Sequence, residues 1–146
     1  MKTILTPTDV YNLVFSAEEN YNSSAVRQTD IAIAESRYLI PVVGETIYTK
    51  LLNGGYYDLR VDYVAPMLSA WIRYMVEPLL AERCGLDHGT MAVDDRLLAR
   101  LKMMAMEQSR RLSAYLDSHS DEYPEYNPVD NPLNHCSIDG NIVQIY

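Results

Sequence analysis

Apolar residues recur at three- and four-residue steps along most of this chain, and Pro, Gly and polar clusters separate the runs. The pattern predicts an all-α fold of about five helices. Thr6 is placed as an N-cap, with Pro7 at the first helical position and Asp9 three residues after the cap, ahead of the stripe Val10, Leu13, Val14 and a helix to about Ala17. Glu18 to Ser24 is polar and reads as a loop. A second helix is expected from Ala25 or Val26 to Leu39, with Ile31, Ala34, Tyr38 and Leu39 on one face. Pro41 to Gly44 then predicts a forced break, because Pro41 lacks an amide hydrogen and disfavours helical geometry at Ile40, while Gly44 can take the left-handed conformation that closes a helix. A short third helix carries Ile47, Tyr48 and Leu51 and ends at Asn53-Gly54-Gly55.

Asp58 is expected to cap the long apolar segment that follows, with Pro66 restarting the helix and Ala65 pushed out of helical geometry. From Met67 to Leu80 the apolar residues cover most of the helix surface, as in a central buried helix. Pro78 predicts a bend there, and Leu86 to Val93 a loop. The last long helix runs from Asp94 or Asp95 to about Ser118, with the stripe Leu97, Leu101, Met104, Ala105, Leu112, Tyr115 and Leu116. Ser118 to His135 is rich in Pro, Asp and Asn and is expected to hold no regular element. Ile138 and Ile142-Val143 flank Asp139-Gly140-Asn141 and read as a β-hairpin or an extended tail. Residues 1–133 are therefore assigned to a helical domain and 134–146 to a C-terminal extension.

The stretch around Pro41 also carries a family resemblance. Ala34, Glu35, Tyr38, Leu39, Pro41, Gly44, Tyr48 and Leu51 form a pattern that resembles the head–tail connector (adaptor) proteins of tailed phages. More closely, it resembles a relative carried by prophages of gut Bacteroidetes-type bacteria. A second, weaker match is Tyr123-Pro124-Glu125-Tyr126-Asn127, just after the last long helix, so the resemblance covers roughly Thr6 to Asn127. It implies a non-enzymatic virion assembly protein: a ring of about a dozen subunits docked on the portal, in contact with portal or tail proteins, with DNA only as passing cargo. Localisation would be the host cytoplasm, then the virion. The alternative, from the residues alone, is a small helical protein-binding or regulatory domain.

Charge narrows the partners. With 20 acidic and 12 basic side chains the formal charge is −8, a poor balance for wrapping a phosphate backbone. Twelve tyrosines against one phenylalanine suit half-buried sites, at the edge of a core or at an interface. Met1 to Leu5 is too short for a signal peptide, and no window is apolar enough for a membrane span, so a cytoplasmic protein with both thiols reduced is expected.

The chemistry-bearing residues do not converge. Cys84, His88, His135 and Cys136 offer zinc-ligand types without paired spacing, so no metal and no cofactor are assigned. Nucleophile motifs and phosphate loops are missing, and no catalytic residue is assigned. Glu35 has no second carboxylate or histidine nearby in sequence, and is expected to pair with an arginine such as Arg37 or Arg73, or to be solvated. Arg96, Arg100, Lys102, Arg110 and Arg111 are the one concentration of positive charge, with Arg96 and Arg100 on one helix face. They form either a solvated face or an electrostatic contact to an acidic neighbouring subunit. Ile138, Ile142 and Val143 either fold back on the domain or add a strand to another subunit. Arg96, Arg100, Ile138, Ile142 and Val143 are thus the candidate interface.

Overall fold

The first helix begins as its sequence dictates. In the computed structural model, which describes residues 1–19, 21–85, 94–139 and 142–145 (136–139 and 142–145 by backbone alone), Thr6 and Asp9 form a reciprocal capping box. Thr6 Oγ1 accepts from the Asp9 amide at 3.1 Å and the Asp9 carboxylate accepts from the Thr6 amide at 2.9 Å. Helix α1 spans Pro7–Val14 and ends at extended Phe15, one turn earlier than expected. Helix α2, Gln28–Ala34, starts later than its apolar pattern suggested, because the Asp30 carboxylate accepts from the Arg27 amide at 2.8 Å and sets the start there.

Of the break predicted over Pro41 to Gly44, the Pro41 end is not there. Helix α2 runs on through a π turn, Glu35–Leu39, into α3, Ile40–Val43, and Ile40 is helical at φ −57, ψ −42. The Ile40 amide donates to the Glu35 carbonyl, five residues back. This widened turn moves the Arg37 carbonyl away from the Pro41 ring, the clash that normally breaks a helix. Pro66 is handled the same way. Helix α5, Tyr57–Leu59, passes through a π turn, Arg60–Val64, into α6, Ala65–Val76, and Ala65 is helical at φ −61, ψ −46. The Ala65 amide donates to Arg60, and the Asp62 carbonyl, which Pro66 leaves without its usual donor, accepts from Arg111 Nη1 at 2.8 Å. Pro66 therefore sits inside one helix rather than restarting it. At Pro78 the chain tightens into a 3-10 turn, Glu77–Leu79, before α7, Leu80–Arg83.

The Gly44 end of that predicted break holds and makes the corner by itself. Its φ of 86 and ψ of 161 lie in a region nearly closed to other residues, and α4, Glu45–Leu52, starts directly after it. An added Cβ would meet no atom within 4 Å, so only backbone strain opposes it. Gly44→Ala is expected to lower the unfolding free energy by roughly 1–3 kcal/mol in urea titration. A neutral result would mean that the corner relaxes. Tyr56, not Asp58, precedes the next helix, in left-handed geometry at φ 50, and Asp58 lies in the first turn.

Helix α6 is the centre, as the sequence implies: Met67, Leu68, Ile72 and Val76 are fully buried against α1, α2 and the last long helix, α8, Asp95–Ser118. Each such side chain contributes roughly 1.5–3 kcal/mol by leaving water. Asp94 caps α8 by accepting from the Arg96 and Leu97 amides. The predicted stripe is buried only from Ala105 onward. Met104 is 56% exposed and Leu97 and Leu101 are half-exposed among the described residues, so the first half of α8 overhangs the core.

Ser118 to His135 is more regular than its composition suggests. It folds into three 3-10 turns, Ser120–Glu122, Pro128–Asp130 and Pro132–Asn134, that bury Tyr123, Tyr126 and Asn131. Asn134, assigned to the extension, donates to Asp117 and to the Pro128 carbonyl, both at 3.0 Å, and so is held by the helical part. The chain closes with antiparallel strands β1, Cys136–Asp139, and β2, Ile142–Ile145, in which Ile138 faces Val143 and Asp139 faces Ile142. The loop expected at Leu86–Val93 lies outside the described residues. The fold is all-α with this short hairpin.

Candidate functional site

The motif residues assemble into a corner whose polar groups face inward. Ala34 and Leu51 are fully buried. Glu35, at the start of the π turn, is 1% exposed and meets no arginine, contrary to expectation. Its Oε2 accepts from the Ile4 amide at 2.7 Å and its Oε1 from the Tyr48 hydroxyl at 2.8 Å. These bonds tie the N-terminal segment and α4 to the same carboxylate. Burial raises the Glu35 carboxyl above the ordinary carboxylate range, against the two hydrogen bonds that lower it, and burial with the neighbouring Glu35 raises the Tyr48 hydroxyl.

The arginine that was a candidate partner, Arg73, serves a different clamp. It holds Glu19 through both guanidinium nitrogens at 2.7 and 3.2 Å, Glu77 at 2.8 Å and the Val14 carbonyl at 3.0 Å, over the Phe15 ring at 4.2 Å. Arg83 forms a similar two-point pair with Asp30 at 2.6 and 3.1 Å. The Tyr123–Asn127 match forms another clamp: Glu125 binds Lys50 and, at 2.7 Å, the Tyr56 hydroxyl. The Lys50 ammonium, then the Tyr56 hydroxyl, hold the Glu125 carboxyl at about 2. Asn131 donates to Ser113 at 2.7 Å and Tyr126 at 2.9 Å, closing a buried polar knot beside α8.

The first half of α8 carries an exposed, basic surface. This helix carries five basic and three acidic side chains, +2, so the rest of the chain carries −10 of the total −8. Arg96 and Arg100 are exposed, and Met103 at 71% and Met104 at 56% continue the same face. Arg100, Met103, Met104 and Glu107 line a shallow depression of about 530 Å³. Arg111, by contrast, is used internally, on the Asp62 carbonyl and over the Tyr63 ring at 4.5 Å. An opposite face occupies the α5 end of the long helix. Tyr57 at 66% and Val61 at 46% are exposed one turn apart, flanked by exposed Asp58 and Asp62. The sequence reading missed this face, although its paired four-residue spacing was visible.

A groove of about 450 Å³ separates α3 from α8. Its floor is the stacked pair Tyr38 and Trp71, with ring centroids 3.9 Å apart and planes 5° from parallel, together with Val42, Met106 and Leu133. Trp71 Nε1 donates to Ser109 Oγ at 2.8 Å, which fixes the indole. Pro41 lies on its edge, and Arg37, Lys102 and Arg110 stand around it. The hairpin residues Ile138, Ile142 and Val143 pair with each other's strand, and their side chains lie outside the described residues.

No group of three or more His, Cys, Asp or Glu side chains converges among the described residues, and His88 and the Cys136 side chain lie outside them. No described helix is long and apolar enough to cross a membrane. Compared with known protein families, with curated proteins and with solved structures, the chain finds no match.

Proposed function

We propose that this chain is a non-enzymatic assembly protein of the head–tail connector type, acting in the host cytoplasm and then in the virion. One observation carries the reading: two exposed faces of opposite charge, each with an apolar pair, lie on different elements of one molecule. Arg96, Arg100, Met103 and Met104 on α8 complement Asp58, Asp62, Tyr57 and Val61 on the α5 segment. A contact between unlike faces repeats from copy to copy, and it closes into a ring when the rotation per copy allows. Many weak contacts then sum to firm attachment on a partner ring such as a portal.

The test is mass by light scattering, with electron microscopy, over a concentration series at low and high salt. Wild-type protein is expected to form closed rings that loosen as salt screens exposed charges. The pair Arg96→Glu/Arg100→Glu and the pair Asp58→Arg/Asp62→Arg should each abolish assembly, while all four changes in one chain restore it. Two-copy particles only would overturn the ring, since they signal a reciprocal pair of faces. A monomer unaffected by any of these changes favours the second reading, a protein-binding domain, for which the Tyr38–Trp71 groove is the supporting feature.

A further inference from the structure

The groove over Tyr38 and Trp71 adjoins the α8 face, whose depression shares Met106 and Arg110 with it, and its charged lining is wholly basic. Lys50, Arg73 and Arg83 each meet a carboxylate from another element. Around the groove, Arg37 and Lys102 meet none among the described residues, and Arg110 reaches only Glu107 of its own helix at 3.8 Å. In a chain of charge −8, three cations without a cross-element carboxylate around an apolar floor form a local inversion of sign. The two rings stack on each other and Trp71 is buried, so they offer a third ring mainly the half-buried Tyr38 and ring edges, and about 450 Å³ takes one large side chain with parts of its neighbours. Three cations are too few for a nucleic-acid track on so acidic a body.

We infer that this groove seats a short acidic segment of a partner protein, one aromatic side chain on the Tyr38–Trp71 floor with flanking carboxylates on Arg37, Lys102 and Arg110. The inference does not depend on ring formation, and its test uses dilute protein below any self-association, so the two can fail separately.

Trp71 is the single tryptophan of the chain and reports directly on its own groove. The probe is a blocked synthetic heptapeptide with one central phenylalanine and three acidic residues on each side. Saturable change in Trp71 emission is expected, confirmed by calorimetry. Replacing the acidic residues by their amides should weaken binding about tenfold, as should Arg37→Glu/Lys102→Glu, through loss of a few exposed charge contacts. Both substitutions are at exposed positions, and unchanged helical circular dichroism verifies the fold. No binding at millimolar peptide overturns the inference. So does equal affinity for the amide peptide, for the double variant, or for a peptide with alanine in place of phenylalanine. Free phenylpropionate binding as tightly as the peptide would also overturn it, by assigning the groove to a small carboxylate.

Discussion

Arg73→Ala lowers the unfolding free energy by about 3 kcal/mol, the low end of the cost of breaking a buried ion pair. Arg73 is 8% exposed, and one guanidinium joins the last carbonyl of α1, the Glu19 loop and Glu77 on its own helix. Its removal leaves two carboxylates and a carbonyl around an empty site. The loss stays at the low end because the Glu19 side chain is 29% exposed and regains water. Urea titration measures it, and a loss below about 1 kcal/mol would place this clamp among surface pairs. Its acid limb gives an independent check. The Arg73 hydrogen bonds hold the Glu19 carboxyl below its ordinary value, so that contribution is complete above that value and is lost as pH falls through the lowered one. In Arg73→Ala that slope shrinks to what the Ser16 hydrogen bonds to Glu19 maintain.

Glu35→Ala costs about 3 kcal/mol by a different route. The Ile4 amide and the Tyr48 hydroxyl both lose their acceptor in a buried site, at roughly 1–3 kcal/mol each. Glu35→Gln costs less, since its amide oxygen still accepts from Ile4 and its nitrogen can donate to the Tyr48 oxygen. The sign of the pH effect is opposite to that of Glu19. Burial raises the folded Glu35 value, so its protonated form adds stability that is complete below the unfolded value and lost as pH rises through the folded one. The stability of the wild type relative to Glu35→Gln should therefore fall with rising pH across that window. A flat difference would mean that Glu35 is not held in a desolvated site.

The fold was legible wherever a local rule acts alone. Thr6 with Asp9, Asp94, the turn after Leu52 and the all-round apolar Met67–Leu80 segment could each be read without knowing a neighbour. Reading failed where a distant group decides. Pro66 reads as a restart because the Asp62 carbonyl it frees finds its donor in Arg111, far along the chain. Glu35 reads in sequence as arginine-paired or solvated because its true partners are a backbone amide and a tyrosine hydroxyl, groups that charge counting ignores. The segment after α8 reads as irregular because Pro and Asn there are capping and knot residues, Asn127, Asn131 and Pro132 among them. At the candidate surfaces, Arg96 and Arg100 were legible as charges. The Tyr38–Trp71 floor was not, since the two rings come from different helices.

The two π turns also set the phase of the helices that contain them. Successive side chains advance by about 100°, so positions eight apart in an uninterrupted α-helix point about 80° away from each other. Ala34 and Val42 are eight apart, as are Leu59 and Met67, yet all four are buried in one core. The extra residue in each widened turn leaves effectively seven steps, about 20° short of two full turns. In α8, which has no such turn, Ala105 and Leu112 keep the same alignment at a spacing of seven. Each widened turn thus works as a one-residue shim. Deleting a single residue within Glu35–Leu39 would leave seven regular steps and keep Val42 in phase with the core, but would drive the Pro41 ring back onto a carbonyl.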